Sequence, residues 1–305
     1  MRQAVMIVEK CEMLFDRSKA AIDRFSNYAI LKRKFERSVG YPLNLENPKS
    51  WNEKIQWRKV HVRNPEYTRA TDKLEMQIFV EELIGKKECV GLFAKLYAQT
   101  TKPDLIDFDA LPANYVLKPT HGSGWVKIVT EASPQNPAEL RKLCKHWLAR
   151  SYGYHNHEWA YLDIKPRLMV EELLRTSSGM VAQDVKIHLV GGEIMFIYTV
   201  DDRFGERIPL HLNPDWQLLP EGSPKSQLSP VYGWEKIKEI SERVGEYFDY
   251  VRVDFLVTES RFVLNELTLY PRSGMDRFST IPTLKHFDEM IGKKWIHTVD
   301  GRRQK

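Results

Sequence analysis

Residues 251–274 read VRVDFLVTESRFVLNELTLYPRSG. Two runs of alternating apolar residues flank a short polar stretch, and this pattern predicts an antiparallel β-hairpin. Each run carries one acid in its middle, Asp254 in the first and Glu266 in the second. A buried carboxylate is costly unless a cation or hydrogen bonds compensate for it. The two acids therefore mark this hairpin as a candidate site.

The length of the turn decides whether the two acids meet. If residues 259–261 form a three-residue loop, Asp254 lies directly opposite Glu266. Two carboxylates side by side repel each other and need a cation, and their hard oxygen atoms suit Mg²⁺. With a two-residue loop, Asp254 faces Asn265 instead and Glu266 points away. Both registers are compatible with the sequence.

The composition is that of a globular protein. The chain has 305 residues, of which 42% are hydrophobic and 29% charged, enough for about two domains. The net charge is +5, which favours anionic ligands such as phosphate compounds, acidic sugars or a lipid surface without requiring nucleic acid. Cys11, Cys89 and Cys144 lie far apart and form neither a zinc motif nor a complete disulfide set, so we expect a reducing, cytoplasmic location.

Helical patterns dominate the first part of the chain. No Pro or Gly interrupts residues 1–39, which we predict to be helical. The stretch SWNEKIQWRKVHV has Ser50 and Glu53 at the spacing of a capping box, which predicts a second helix. A third helical pattern begins at Asp72 and ends at Gly85.

Strands alternate with short helices in the remainder. DVKIHLV and EIMFIYTV are joined by Gly191-Gly192, a pair that accepts the positive φ of a tight hairpin turn. The order of elements predicts a mixed α+β fold. We expect a mainly helical region, a part with a glycine-turn hairpin, and a part with the hairpin of the two acids, at residues 1–90, 91–174 and 175–305 respectively.

Three other segments place charged residues beside strands or turns. Lys118 ends a strand just before the glycine turn at residues 121–124, whose backbone N–H groups can bind an anion. A plain glycine-rich turn fits this stretch equally well. Glu171 and Glu172 end a buried strand, and Lys186 lies within another. Each of these three residues, taken singly, is also compatible with an exposed position.

Four basic residues cluster in the stretch AILKRKFERSVG, namely Lys32, Arg33, Lys34 and Arg37. A solvated helix face explains this cluster, and contact with an anionic membrane or polymer is the alternative. We therefore also consider peripheral membrane association through the basic N-terminal helix.

In chain order these segments resemble the ATP-grasp superfamily, and most closely its TupA-like branch of teichuronopeptide and polysaccharide biosynthesis. The resemblance is carried by WNEKIQWRK, TDKLEMQIFVEELIG, IDFDALPANYVLKPTHGSG, EWAYLDIKPRLMVEELL, QDVKIHLVGGE, VRVDFLV and LNELTLYPRSG, which run from Trp51 to Gly274. It implies an ATP-grasp fold, in which two α+β subdomains with antiparallel sheets sandwich ATP, here preceded by a mainly helical N-terminal region.

The resemblance also implies roles for individual residues, with ATP and Mg²⁺ as cofactors. The residues that would bind the nucleotide are Lys73, Lys118, His121, Gly122, Ser123, Gly124, Glu171, Glu172, Leu173, Leu174 and Lys186. Asp254 and Glu266 would hold the metal, with Thr268 where the superfamily usually has Asn. Arg252 and Arg272, together with Lys186, would act on the transferred phosphoryl group or the substrate carboxylate, because a guanidinium fork fits both anions.

The implied reaction joins a carboxylate to an amine through an acyl phosphate. We expect the chain to attach an amino acid or other amine to a uronic acid or polysaccharide precursor. Its partners would be a small-molecule or saccharide carboxylate and an amine, and no nucleic acid. A sugar phosphotransferase, a glycosyltransferase and a non-catalytic binding module remain the alternatives.

Overall fold

The computed structural model describes residues 2–201, 208–219, 228–278 and 285–303. Its helices are α1 (Arg2–Phe25), α2 (Ala29–Val39), α3 (Trp51–His61), α4 (Glu66–Thr71), α5 (Glu75–Ile84), α6 (Pro137–Ala149), α7 (Trp234–Gly245) and α8 (Lys285–Lys294). Its strands are β1 (Leu96–Thr100), β2 (Tyr115–Pro119), β3 (Lys127–Val129), β4 (Leu168–Glu172), β5 (Gln183–Val190), β6 (Glu193–Asp201), β7 (Ile208–Leu212), β8 (Tyr250–Val257) and β9 (Phe262–Thr268).

The stretch predicted to be helical over residues 1–39 is largely helical, but it forms two helices, α1 and α2, rather than one. Asn27 and Tyr28 have positive φ angles of 52° and 59° and break the helix between α1 and α2. The carboxylate of Asp23 accepts hydrogen bonds from the backbone N–H groups of Ile30 (2.7 Å) and Leu31 (3.1 Å). A side chain from the end of α1 thus caps the start of α2, which a search for Pro or Gly could not detect.

The other two N-terminal predictions hold in part. Ser50 and Glu53 form the capping box of α3, and the N–H of Gly85 closes α5. The predicted helix start at Asp72 is wrong, since α5 begins at Glu75. The Asp72 carboxylate instead accepts the N–H of Leu74 (2.9 Å) in the turn between α4 and α5.

The strands form two antiparallel sheets, as expected for the predicted α+β class. The first has the order β1-β4-β2-β3 and the second the order β7-β6-β5-β8-β9. Gly191 and Gly192, with φ angles of 54° and 87°, form the predicted turn between β5 and β6. Both glycines adopt the positive φ that a side chain would make costly.

Each sheet has its own hydrophobic core. Helix α6 packs against the first sheet, where Leu117, Cys144 and Val170 are buried together. Helices α3, α4 and α5 share one core with the second sheet, so the N-terminal helices and the C-terminal hairpins lie against each other. The division into regions 1–90, 91–174 and 175–305 stays a prediction. Among the described helices, none is both long and apolar enough to cross a lipid bilayer.

The hairpin of β8 and β9 contains a bulge that sets the register of the two acids. The N–H of Thr258 donates to the carbonyl of Arg261 (2.8 Å), so the turn between them has two residues. The predicted three-residue loop is therefore wrong. The register of the two-residue turn runs as far as the pair of Phe255 and Leu264 and then shifts by one residue. Beyond the shift Asp254 lies opposite Glu266, as predicted. A β-bulge at residue 265 supplies the extra residue that the turn lacks.

Candidate active site

The two acids of the hairpin are held together by an arginine. Nε of Arg252 donates to Oδ1 of Asp254 (2.7 Å), and its Nη2 donates to Oδ2 (2.6 Å). The same Nη2 lies 3.4 Å from Oε1 of Glu266. The guanidinium is therefore the cation that compensates for the paired carboxylates, which the register argument required.

Thr268 completes this cluster. Its hydroxyl donates to Oε1 of Glu266 (3.0 Å) and accepts from Nη2 of Arg252 (3.0 Å). Arg252 and Thr268 are opposite each other in the strand register. In this arrangement the hydroxyl of Thr268 orients the carboxylate of Glu266. This role does not require Thr268 to contact a metal ion.

The two carboxylates differ in their acidity. Burial raises the pKa of Asp254 to about 6, although the adjacent Arg252 opposes the shift. Burial would also raise the pKa of Glu266, but Lys73, Arg252 and Lys186 together bring it below its ordinary value. Unequal environments of this kind are common at functional sites.

Lys186 lies next to the acids on the neighbouring strand. It is opposite Asp254 in the pairing of β5 with β8. Its Nζ is 2.8 Å from Oδ1 of Asp184 and 3.8 Å from Oδ2 of Asp254. The side chain is 22% exposed. We refer to the region between the two sheets that contains Lys186, Asp254 and Glu266 as the groove.

Lys118 connects the two sheets. Its Nζ forms a buried ion pair with Oε1 of Glu171 on β4 (2.5 Å). It also donates to Oδ1 of Asn265 (3.2 Å), the bulge residue of β9 in the second sheet. The bulge thus has a second effect, because it turns Asn265 toward the same groove as Glu266.

Lys73 approaches the same groove from the helical region. Its buried Nζ donates to the carbonyl oxygen of Gly122 (2.6 Å) in the glycine turn. Burial lowers the pKa of Lys73, with Glu266 opposing the shift and Lys118 adding to it. Three lysines from three parts of the chain, Lys73, Lys118 and Lys186, therefore lie near Glu266 and one another.

The glycine turn is shaped by one close approach. A Cβ atom on Gly122 would lie 2.5 Å from the ring of Trp125, so this position needs glycine. Gly124 has a φ of 71°. The hydroxyl of Ser123 forms a hydrogen bond with Tyr152. The ring of His121 points away from the groove and contacts the carbonyl of Trp147 (3.0 Å).

Residues 171–174, which the resemblance assigns to the nucleotide, lie at the start of the connection from the first sheet to the second and are called the hinge here. Leu173 and Leu174 are buried, and the carbonyl of Leu174 accepts the N–H of Ala182 (3.1 Å). The carboxylate of Glu172 pairs with Nη1 of Arg261 in the turn of the β8–β9 hairpin (2.9 and 3.0 Å). Glu172 therefore joins the hinge to the hairpin, whereas Glu171 faces Lys118.

Arg272 lies outside the central cluster. Its side chain is 67% exposed, and its Nε is 3.3 Å from Oδ2 of Asp276. Burial raises the pKa of Asp276, although the charges of Arg272 and Arg252 oppose the shift. Arg272 and Ser273 have positive φ angles of 46° and 58°. Such strained backbone persists only where its surroundings hold it.

A second buried cluster, which was not predicted from the sequence, lies beside this loop. Nζ of Lys59 donates to the hydroxyl of Ser273 (3.0 Å), which is also hydrogen-bonded to the buried Glu158. Burial lowers the pKa of Lys59 to about 7 and raises that of Glu158. The signal was present in WNEKIQWRK, because its polar residues occupy every side of the helix and cannot all face solvent.

The donor set of the groove fits Mg²⁺ bound together with phosphates. Within the described ranges, no group of three or more His, Cys, Asp and Glu side chains could hold a metal ion. Mg²⁺ in nucleotide sites takes only one or two carboxylates and obtains its other ligands from phosphates and water. Asp254 and Glu266 supply that number, and Lys73, Lys118 and Lys186 supply the charge that phosphates require.

A groove between two antiparallel sheets, lined by lysines and a pair of acids, is the arrangement of a nucleotide site of the ATP-grasp type. The profile of the family described as TupA-like ATPgrasp matches residues 53–296. The chain belongs to this family, which confirms the family resemblance of the sequence and the predicted ATP-grasp fold. Membership in the family supports the prediction that the chain is an ATP-grasp enzyme with ATP and Mg²⁺ as its cofactors.

Solved structures of ATP-grasp ligases show distant similarity. The D-alanine–D-alanine ligase of Bacillus anthracis complexed with ATP is 14% identical, covers 74% of this chain and 63% of its own, and has a TM-score of 0.40. The ligase PsnB, complexed with a precursor variant, Mg and ADP, is 12% identical over 67% of this chain and 52% of its own, with a TM-score of 0.38. The macrocyclase MdnC of Microcystis aeruginosa is 13% identical over 75% and 61%, with a TM-score of 0.37.

The chain thus spans about half to two thirds of the length of these three structures. No curated protein matches the chain.

Proposed function

We propose that the chain is an ATP- and Mg²⁺-dependent ligase that joins a carboxylate to an amine. The observation that carries the proposal is the pair of Asp254 and Glu266, held opposite each other by a bulge and bridged by Arg252. Lysines from both sheets and from the helical region converge on this pair. No serine, cysteine or histidine nucleophile is needed for phosphoryl transfer, which depends mainly on positioning and charge neutralisation.

The residues of the groove would have different roles in such a reaction. Lys73 and Lys118 would bind the phosphates beneath the glycine turn, and Lys186 would bind them from the second sheet. Asp254 and Glu266 would hold Mg²⁺, which when bound neutralises charge on the phosphates. Arg252 would bind the transferred phosphoryl group or the substrate carboxylate through its planar fork.

The balance of the reaction requires two substrates besides ATP. The carboxylate oxygen attacks the γ-phosphorus, ADP leaves, and an acyl phosphate forms. The amine nitrogen then attacks the acyl carbon, the C–O bond to phosphate breaks, and the amine loses a proton as the amide forms. Arg272, which is exposed beside Asp276, would contact the incoming substrates.

The finer part of the proposal concerns the substrate and location. We propose a uronic acid or polysaccharide precursor as the carboxylate and an amino acid or other amine as the acceptor, in surface-polysaccharide biosynthesis. This part rests on the family resemblance and on the positive net charge. Cys89 and Cys144 are free and buried, which is compatible with work in the cytoplasm, where ATP is supplied.

A trapping experiment tests the reaction class. The protein is incubated with ATP, Mg²⁺, hydroxylamine and a panel of uronic acids, other sugar acids and amino acids, and products are identified by mass spectrometry. An acyl phosphate gives a hydroxamate and one ADP for each carboxylate consumed. A stable phosphate ester of a sugar hydroxyl, formed equally with and without hydroxylamine, would instead indicate a phosphotransferase.

A further inference from the structure

Helix α1 is attached to the protein through its polar side. Ala20 and Asp23, which lie three residues apart, are buried. The carboxylate of Asp23 accepts from the backbone at the start of α2 and lies 2.9 Å from Nε2 of His157. Asp16, one turn earlier on the same side, is partly buried. This side of the helix is therefore fixed to the molecule.

The opposite side of α1 is apolar and exposed. Leu14, Phe15, Ile22 and Phe25 are 55%, 67%, 61% and 93% exposed. At about 100° per residue, these four side chains fall within an arc of roughly 100° that faces away from Ala20 and Asp23. A helix on the surface of a soluble domain normally turns this face toward the core. Here the amphipathic pattern is reversed.

Basic residues flank the apolar arc. Arg17 and Arg24 lie along one edge and Lys19 along the other, and all three are exposed. Within residues 14–25, every exposed charged side chain is basic, while the acids Asp16 and Asp23 lie on the attached side. An apolar stripe between basic edges is the pattern of a helix that lies in the interface of an anionic lipid surface.

We propose that residues 14–25 of α1 form a membrane-docking surface, which lies flat on an anionic bilayer with its apolar side chains inserted among the lipids. Charge complementarity favours this occupant over a second copy of the chain, because two copies would bring the same basic edges together. The proposal is independent of the ligase reaction and concerns where the enzyme works.

The docking surface differs from the basic cluster of α2 that the sequence suggested. Nζ of Lys34 donates to Oδ1 of Asn156 (2.6 Å), so this residue faces the protein. Arg33 and Arg37 are exposed and add positive charge nearby. They can strengthen attraction to an anionic surface, but insertion depends on the apolar side chains of α1.

Vesicle flotation with the full chain tests the proposal. We expect binding to vesicles of phosphatidylcholine mixed with phosphatidylglycerol, and much weaker binding to phosphatidylcholine alone or in high salt. The double variant Phe15→Ser/Phe25→Ser should lower the partition coefficient by roughly a hundredfold, since burial of each ring is worth about a factor of ten or more. Arg17→Gln/Arg24→Gln should lower it by about fivefold for each charge.

Val90→Ser is the matched control, because Val90 is 85% exposed on another part of the surface and should have no effect. Circular dichroism should show that all variants are folded, since the replaced side chains are exposed. Unchanged binding of the phenylalanine variant, or an equal loss in Val90→Ser, would overturn the proposal. Absence of vesicle binding by the wild type would also overturn it. If the wild type then forms dimers and the phenylalanine variant does not, the apolar face binds a second copy of the chain instead.

Discussion

Helix α3 and the groove between the sheets both bury charged side chains, but they pair them with different partners. Nζ of Lys54 on α3 donates to the carbonyls of Gly292 (2.7 Å) and Trp295 (2.5 Å), so its donors are used on the backbone. In the groove, Lys118 pairs with Glu171 and Arg252 pairs with Asp254. A carbonyl that receives a buried cation fixes a loop. A carboxylate that receives one can exchange it for a metal ion, while the released cation binds a phosphate. Arg58 on α3 also pairs with a carboxylate, that of Asp249, but it donates to two backbone carbonyls as well and is therefore structural.

The largest expected effect on stability lies in α3. The guanidinium of Arg58 is fully buried, pairs with Asp249, and donates to the carbonyls of Leu269 (2.9 Å) and Tyr250 (2.9 Å). Arg58→Met leaves Asp249 as an uncompensated buried charge, which should lower the free energy of unfolding by about 3–5 kcal/mol. Urea unfolding measures this loss.

The control for Arg58→Met is Arg69→Met. Arg69 forms ion pairs with Glu66 and Glu82 at the surface, and its side chain is 32% exposed. Its loss should cost no more than about 1 kcal/mol. If the two variants unfold at the same urea concentration, the buried cation of α3 does not have the structural role described above.

The largest expected effect on activity lies in the groove. Glu266→Gln keeps the shape of the side chain but removes the charge that Mg²⁺ requires, so ADP formation should fall by on the order of a thousandfold. The melting temperature should stay near that of the wild type, because Thr268 and Arg252 can still donate to the amide oxygen. Steady-state ADP release and thermal unfolding measure the two quantities.

Glu193→Gln is the matched substitution for that experiment. Glu193 is 59% exposed and pairs with Lys294, outside the groove. Wild-type rates are expected for Glu193→Gln. Wild-type rates in Glu266→Gln as well would remove the basis for the metal assignment.

A smaller effect concerns pH and His211 on β7, whose ring packs against Phe278 and Phe287. Burial lowers the pKa of His211 to about 4, below the ordinary value of 6.5. Between these values the unfolded chain binds the proton and the folded protein does not, so stability is present above pH 6.5 and falls as the pH approaches 4. His211→Phe should reduce this acid-induced loss by about 1–3 kcal/mol.

The comparison of urea unfolding at pH 7 and pH 4.5 checks this prediction, with the wild type measured in parallel. Other groups titrate in both proteins and cancel in the difference. An identical loss of stability in the two proteins would show that His211 is not held neutral by its surroundings.

The smallest expected effect concerns Gln56, which lies on α3 and outside the groove. Nε2 of Gln56 donates to the carbonyls of Ser273 (2.8 Å) and Gly274 (2.7 Å) in the strained loop after β9. Gln56→Leu leaves both carbonyls without this donor and should cost about 1–3 kcal/mol of stability. The dissociation constant for Mg-ATP should stay within about twofold, since Gln56 does not reach the groove. A large loss of affinity for Mg-ATP, measured by calorimetry, would show that α3 and the groove are not independent.

The sequence was sufficient for the parts of the fold that depend on local pattern. The capping box at Ser50, the Gly191-Gly192 hairpin and the pairing of Asp254 with Glu266 were all predicted correctly. The reason for that last pairing was wrong, because a short turn and a bulge at Asn265 together give the register expected from a longer turn. Bulges depend on contacts between elements, here with Lys118, and local alternation cannot reveal them.

Long-range contacts account for the other differences. The cap that Asp23 provides to α2 joins two helices. The hydrogen bond between Lys59 and Ser273 joins residues that are 214 positions apart in the chain. The ring of His121 turned out to face the core, because a residue before a glycine turn can point to either side of it. Such choices are made by packing, which composition and spacing do not record.

The central claim is that the groove binds Mg²⁺ and ATP through its carboxylates and lysines. Isothermal calorimetry with a non-hydrolysable ATP analogue, with and without Mg²⁺, tests it without knowledge of the other substrates. We predict binding by the wild type that strengthens with Mg²⁺, a weaker response in Lys118→Met, and loss of the Mg²⁺ effect in Glu266→Gln. Equal affinity with and without Mg²⁺ in the wild type, or no binding of the analogue, would contradict the account.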